Sequence, residues 1–563
     1  MGHGLDERRG PAETRCASAG PGTLDTASAV NPQWLARESS PLGLVKGELP
    51  MNHTAILASL FAVVGLATVP AQTAHAAECS ELAGLRLAHV EITLAESVAA
   101  GAFKPAGGAG GFGVPPGAYA HLPAFCRIAG TLRPTPDSNI RFEVWMPESS
   151  WNGKFLGTGN GVWAGSITYF SMAAPLSMGY ATAATDDGHQ GNPLDAGFAA
   201  GHPEKLIDFG YRAVHETTVT AKALITAFYG SSAHRSLFVS CSTGGRQGLM
   251  EAYRYPDDYD GISAMAPANP MVGLMVSSLW TGEATLKDSA SHIPLPKFAM
   301  IHRAVLKACD ASDGVKDGIV SSPQTCHFDP AVLQCKSEDG PDCLTAPQVA
   351  ALRAIYQGPR NPRTGRSIFP GFEPGSEGQL PIQTMGPKPF GAAVTYFGDL
   401  VFKDPKWNFR DFDYDKDVER AMQAGSAQLD VPPNGLDTFL AEGRKLLLSH
   451  GWADGLIPPM STVDFYLQLR RHLTPKEARD TRLFMIPGMA HCAGGDGPFL
   501  FDPISILDEW VASGHVPERI VVSNPPGAPP RTRPLCAYPQ AARYTGHGST
   551  DEEKNFRCAV PTH

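Results

Sequence analysis

Basic blocks are missing from this 563-residue chain. Lys and Arg number 46 against 56 Asp and Glu, a formal net charge of −10, and no stretch gathers enough of them to track a phosphate backbone or an anionic bilayer. That excludes nucleic acid and membrane surfaces as main partners. CxxC pairs and clustered Cys/His spacings are also absent, which removes the usual zinc patterns. Internal repeats are absent. Charged residues are sparse at 18% while hydrophobic residues reach 43%, so the chain buries a sizeable core and is neither disordered nor collagen-like. One glycine-rich run, 107–113, leads into a Pro-Pro pair. It lacks the flanking strand and helix of a dinucleotide site and reads as a loop.

What is present begins with a leader. Met51 opens a segment whose apolar stretch, 55–69, has the length of a secretory h-region. Ala74-His75-Ala76 then supplies a cleavage site before Ala77. A membrane anchor is the competing reading, but the stretch is short, contains Pro70 at its end and has no flanking Lys or Arg. Residues 1–50 read as a non-native or disordered extension, 51–76 as a signal peptide, and the location as secreted or periplasmic. The cysteines agree with export. Of eleven, Cys16 precedes the leader and ten remain, an even set that suggests disulfides. Cys309 and Cys326 bracket one loop, Cys335 and Cys343 another. Cys536 and Cys558 staple the C-terminus, Cys79 and Cys126 the N-terminus. Cys241 and Cys492 are left over, far apart in sequence.

Apolar runs of strand type at 141–147, 154–157, 180–185, 236–240 and 261–266 alternate with helical patterns at 211–228 and 244–253. The alternation resumes with a strand at 445–449, a helix at 463–472 and a strand at 482–486. Such alternation implies βαβ units and a parallel sheet. The expected organisation is an α/β-hydrolase domain in two parts, 77–266 and 444–563, interrupted by an inserted lid, 267–443, over the C-terminal strand ends.

Three of these strands end in chemistry. The run from Ser236 to Ser240 leads into Cys241, Ser242, Thr243, Gly244 and Gly245, then a helix. That is the context of a nucleophile elbow, with the first glycine of GxSxG replaced by Ser240. An N-capping serine at an ordinary turn is the plainer reading. The strand from Lys445 runs into a loop carrying Asp454, and the strand before Gly488 into a glycine-rich loop carrying His491. The order Ser…Asp…His, each after a strand, is that of α/β-hydrolases. Ser242 needs a neutral imidazole to accept its proton, and His491 needs a carboxylate to fix its tautomer. His450 is a rival base, but it lies within the strand end and reads as structural. Cys241 precedes Ser242 and Cys492 follows His491, so a Cys241–Cys492 disulfide would clamp nucleophile to base. The oxyanion donors expected are the N–H of Thr243 and, from the glycine-rich loop after an earlier strand, that of Gly161.

A further segment, 310–319, spaces Asp310, Asp313 and Asp317 among glycines. Carboxylates so placed fit a hard cation, with a solvated Asp-Gly turn as the plainer alternative.

With the Cys241-Ser242 and His491-Cys492 pairs, Asp454 and the string DASDGVKDGIV, the chain resembles the tannase and feruloyl esterase family, which also contains mono(2-hydroxyethyl) terephthalate hydrolase. The resemblance spans about Cys79 to Cys558. It implies a secreted or periplasmic serine esterase acting on small esters of aromatic acids, and the five disulfides paired as above. It also implies a structural Ca²⁺ in the lid, held by Asp310, Asp313 and Asp317 side chains and the carbonyls of Val315 and Ile319. Specificity is expected in the lid, where the aromatics of 390–397 and 407–414 are either acyl-stacking groups or lid core. Arg410 meets either a substrate carboxylate or, as the favoured expectation, a nearby lid Asp. A feruloyl esterase is the leading reading, with a galloyl or terephthalate monoester hydrolase next. A catalytically silent aromatic-binding protein is the reading from another class.

Overall fold

The apolar runs assemble into one sheet. The computed structural model describes residues 77–105 and 117–560, all within one compact unit. Residues 1–50 and 51–76, read above as extension and signal peptide, and the glycine run 107–113 lie outside the described residues. The strands are β1 (Val90–Val98), β2 (Phe125–Leu132), β3 (Ile140–Pro147), β4 (Lys154–Gly157), β5 (Ala181–Thr185), β6 (Arg235–Cys241), β7 (Gly261–Met265), β8 (Lys445–Gly451) and β9 (Thr481–Ile486). They lie in the order β1-β2-β3-β5-β4-β6-β7-β8-β9. From β5 to β9 neighbours are parallel, with helices Tyr169–Ser177, Ala213–Tyr229, Thr243–Arg254 and Met460–His472 as crossovers.

The sheet is not parallel throughout, which corrects the expectation. β1, β2 and β3 pair antiparallel, and β3 joins β5 antiparallel. No helix separates these first strands, so nothing carries the chain back to the starting edge. β1 alternates half-buried and exposed positions, as an edge strand does. The central strands are covered on both faces. Leu446 and Leu448 of β8 join Phe238, Ile262 and Leu483 on one side. Leu447 joins Leu237, Val239, Phe484 and Trp510 on the other. This period-2 division is why these strands read as unbroken apolar runs.

Between β7 and β8 the chain leaves the sheet and returns to the adjacent strand. The excursion carries helices Met271–Leu286, Leu295–Cys309, Ala346–Gln357 and Asp417–Leu429, whose positions the sequence pattern leaves open. It has a core of its own around Phe298, Ile301, Leu352, Ile355 and Leu380. A second cluster joins its Met275, Leu279, Tyr396 and Phe412 to Trp163 and Phe209 of the preceding part. The insert is therefore packed onto the sheet domain by shared apolar surface. All five expected disulfides are formed: Cys79–Cys126, Cys241–Cys492, Cys309–Cys326, Cys335–Cys343 and Cys536–Cys558. The last ties β11 (Thr532–Cys536), paired with β10 (Arg519–Ser523), to the terminal strand β13 (Phe556–Ala559), which pairs with β12 (Ala541–Tyr544). Among the described residues no helix is long and apolar enough to cross a membrane.

An ion-pair latch fastens the insert to the segment after β9. His302 Nδ1 meets buried Glu377 at 2.8 Å, and its Nε2 meets Asp496 at 2.9 Å. The hydrogen bonds to Asp496 and Glu377 raise the His302 pKa from 6.5 to about 10, against the opposing effect of burial. A raised folded-state pKa stabilises fully below the ordinary imidazole range and is lost as pH rises through the folded value. The thermal midpoint of the protein should exceed that of His302→Gln at pH 6. That gap should close progressively between pH 6.5 and about 10. Scanning calorimetry of both proteins across this range reads it, and a gap independent of pH would contradict the latch.

Candidate active site

Ser242 sits where β6 turns into helix Thr243–Arg254, with φ 64° and ψ −128°. A left-handed φ on a non-glycine residue stores about 1–3 kcal/mol and persists only where its surroundings hold it. Here Ser242 N–H donates to the Met265 carbonyl at 2.9 Å, and its carbonyl accepts from Arg246 and Ala268. The turn is tight: a Cβ on Gly244 would lie 2.0 Å from Ser240 Oγ. This explains why the positions two before and two after Ser242 are small.

His491 lies in the loop after β9. Its Nε2 is 2.9 Å from Ser242 Oγ and its Nδ1 is 2.7 Å from Asp454 Oδ2. The sheet thus brings the three separated residues into one hydrogen-bonded line. Asp454 is fully buried. Its Oδ1 accepts from Leu456 and Ile457 N–H at 2.8 and 2.9 Å, and its Oδ2 also meets His450 Nε2 at 3.1 Å. Burial alone would raise this carboxyl; the two imidazoles and their hydrogen bonds outweigh it and hold Asp454 well below the usual carboxylate range. It therefore stays ionised, able to fix the His491 tautomer and stabilise an imidazolium. An imidazole between a half-exposed hydroxyl and a buried carboxylate can accept the hydroxyl's proton.

His450 makes no hydrogen bond to the Ser242 hydroxyl. It is buried, with Nδ1 on Thr462 Oγ1 at 2.7 Å and Nε2 on Asp454, so it positions the carboxylate. Gln379 was not legible in the sequence. This insert residue accepts from His491 N–H at 2.9 Å and Gly455 N–H at 3.2 Å, joining the His and Asp loops. No motif marks it, because its role arises only when the insert packs.

The glycine-rich loop after β4 lies against the start of the Ser242 helix. Asn160 O accepts from Gly244 N–H at 2.7 Å, and Thr243 Oγ1 donates to Val162 O. Gln247 links buried Asp187 to Asn160 N–H, which it occupies at 2.9 Å. Gly161 is exposed, and a Cβ there would meet nothing within 4 Å. With the Gly159 and Asn160 N–H groups occupied, those of Gly161 and Val162 are the ones in this loop without a backbone or side-chain acceptor.

The lid aromatics are core: Tyr396, Phe397, Phe409, Phe412 and Tyr414 are buried, and Phe402 stacks on Trp407. Arg410 departs from expectation. It forms no Asp ion pair; it donates to the Leu286 carbonyl at 2.8 Å and lies over the Phe409 ring. The preceding helix end offers a carbonyl within reach, and a guanidinium satisfies that geometry while stacking.

In the acidic loop, Asp310 Oδ1 accepts from Asp317, Gly318 and Ile319 N–H. Asp313 Oδ1 accepts from Val315 N–H. Asp317 Oδ2 pairs with Arg533, while its buried Oδ1 has no partner. Burial raises the Asp313 carboxyl, and the neighbouring Asp317 and Asp310 charges add to this. The donor chemistry fits a hard cation. The closest-packed three-ligand groups among the described residues lie elsewhere, however, and the Asp triplet is not one of them.

Comparison with known proteins decides the family. The family described as Tannase and feruloyl esterase matches residues 126–559. The chain belongs to the tannase and feruloyl esterase family. An uncharacterized esterase of Xanthomonas campestris is 37% identical over 91% of this chain and 96% of that protein. A mono(2-hydroxyethyl) terephthalate hydrolase of Piscinibacter sakaiensis is 32% identical over 78% of this chain and 86% of its own length. The crystal structure of feruloyl esterase B from Aspergillus oryzae superposes with TM-score 0.79 at 29% identity, covering 85% of this chain and 99% of that one. The family member described here is a carboxylic-ester hydrolase with the α/β-hydrolase fold.

Cys241–Cys492 closes a span of 251 residues beside the Ser242–His491 contact. In the chain-entropy picture such a bond contributes about 5 kcal/mol. Misplacing reacting groups by about 1 Å costs about 10²-fold in rate. Selective reduction of this bond, or Cys241→Ala with Cys492→Ala, should lower kcat on an aryl ester by about that factor while circular dichroism stays native. Full activity with the bond demonstrably open would refute the clamp.

Proposed function

We propose that this protein is an exported serine esterase that hydrolyses esters of hydroxyaromatic acids, feruloyl esters foremost, through an acyl-enzyme. The observation that carries this reading is the continuous line Ser242 Oγ–His491–Asp454. Ser242 Oγ attacks the ester carbonyl as His491 Nε2 takes its proton. The N–H groups of Thr243 and Gly161 hold the resulting oxyanion, each such donor worth about 10²–10³ in rate. His491 then protonates the leaving alcohol, and the acyl group stays on Ser242. Water attacks next, His491 again takes the proton, and the aromatic acid leaves with Ser242 restored. Asp454, steadied by His450, orients the imidazole throughout. Asp310, Asp313 and Asp317 and the carbonyls of Val315 and Ile319 would hold a structural Ca²⁺ in the Asp310–Ile319 loop, and the ion would give the buried Asp317 Oδ1 the positive partner it lacks. Export is supported by the segment 51–76 and five disulfides.

The aromatic-acid substrate rests on what the relatives are named for: feruloyl esters and a terephthalate monoester. A side-by-side kcat/KM on methyl ferulate, methyl gallate and mono(2-hydroxyethyl) terephthalate tests it. Methyl ferulate should lead, and Ser242→Ala should lose more than about a hundredfold while staying folded. Preference for another of the three would reassign the substrate. Residual activity above a hundredth would make another residue the nucleophile.

For the cation, treatment with EGTA should lower the thermal midpoint and added Ca²⁺ restore it, with Asp313→Asn insensitive to both. A wild-type midpoint unmoved by chelation would leave the acidic loop a plain turn.

A further inference from the structure

One buried carboxylate takes no part in the chemistry above. Glu251 lies on the helix that begins after Ser242, is 1% exposed, and has no hydrogen-bond partner for either oxygen. Asp258, on the turn leading into β7, and His215, on helix Ala213–Tyr229, face it. One ligand atom from each of the three lies within 4.8 Å of the other two. The His215 ring is fixed in orientation. It stacks on Tyr255 with centroids 3.6 Å apart and planes 7° from parallel, and its Nδ1 lies 2.6 Å from Asp258 Oδ2. His215 remains partly exposed, which leaves a way in from solvent.

We propose that His215, Glu251 and Asp258 form a binding site for a divalent transition cation of the zinc or manganese kind, pinning the far end of the nucleophile helix to the helix before β6 and the turn before β7. The donor set decides the class. One imidazole and two carboxylates suit a borderline first-row ion better than Ca²⁺, which prefers an all-oxygen shell. Charge points the same way. Two carboxylates and a neutral imidazole around a dication sum to zero, which suits a buried position. The facing cation, Lys222, stands at the edge of the group: its Nζ donates to the Asp258 backbone carbonyl and forms only a long ion pair, 3.9 Å, with the Asp258 carboxylate. Burial, with the Asp258 carboxylate beside it, pushes the Glu251 carboxyl well above its ordinary value. Metal uptake opens the direct His215–Asp258 contact to admit the ion. The ligands lie apart from the acidic loop, so the site is independent of the calcium reading and of the ester chemistry.

The test is a titration of the chelator-stripped, Ca²⁺-saturated protein with Co²⁺, read by its ligand-field absorption, and with Zn²⁺, read by calorimetry. Wild type should take up about one equivalent with a raised thermal midpoint. His215→Gln and Glu251→Gln should each weaken uptake at least about tenfold. Asp313→Asn should leave it intact. His215→Gln changes a partly exposed side chain, so it decides the matter even if Glu251→Gln folds poorly. No uptake by wild type, or equal uptake by His215→Gln, would overturn the site.

Discussion

The bond between Cys241 and Cys492 is the constraint on which the site depends. It joins the residue before Ser242 to the residue after His491, so nucleophile and base are held by a covalent tie one residue away on each chain segment. The strain at Ser242 and the loop of His491 then have little freedom left. The remaining freedom is removed at Asp454, whose four acceptor positions are filled by two backbone amides and two imidazoles. Gln379 closes the arrangement from the insert side by taking the His491 and Gly455 amides on one oxygen. Preorganisation of this kind spends no reorganisation energy when charge develops in the transition state.

The insert and the sheet divide the work. The sheet ends carry the reacting groups, and the insert supplies Gln379, the His302 latch and the acidic loop. Arg531 and Arg533, on the C-terminal side, reach Asp317 of that loop. The acidic loop is therefore coupled to the C-terminal segment rather than standing free on the surface. The same logic appears beneath the nucleophile helix, where His215, Glu251 and Asp258 gather from three elements. One end of that helix carries the disulfide turn, the other the Glu251 side chain of this cluster.

Much of the chemistry was legible in the sequence because it sits where strands end. Ser242, Asp454 and His491 each follow an apolar run, and the flanking cysteines mark two of them. The central strands were legible because burial on both faces makes their sequences continuously apolar. β1 was not, since an exposed edge strand mixes Glu and Ser with its apolar positions. Gln379 carried no signal, because its partners lie in other segments and only packing brings them together; His450 was legible as a structural group, but not its contacts with Asp454 and Thr462. Arg410 misled: charge proximity in sequence suggested an Asp partner, whereas the fold offers it a helix-end carbonyl and a ring. Glu251 was silent for the opposite reason, a carboxylate in a helix being ordinary until its burial is known.

The central claim is that Ser242, activated by His491, forms the covalent intermediate. Labelling the protein with a fluorophosphonate and mapping the adduct by mass spectrometry tests it directly. The account predicts one adduct per chain, on the peptide carrying Ser242, and its loss in His491→Ala. An adduct on another residue, or undiminished ester turnover after complete labelling, would contradict it.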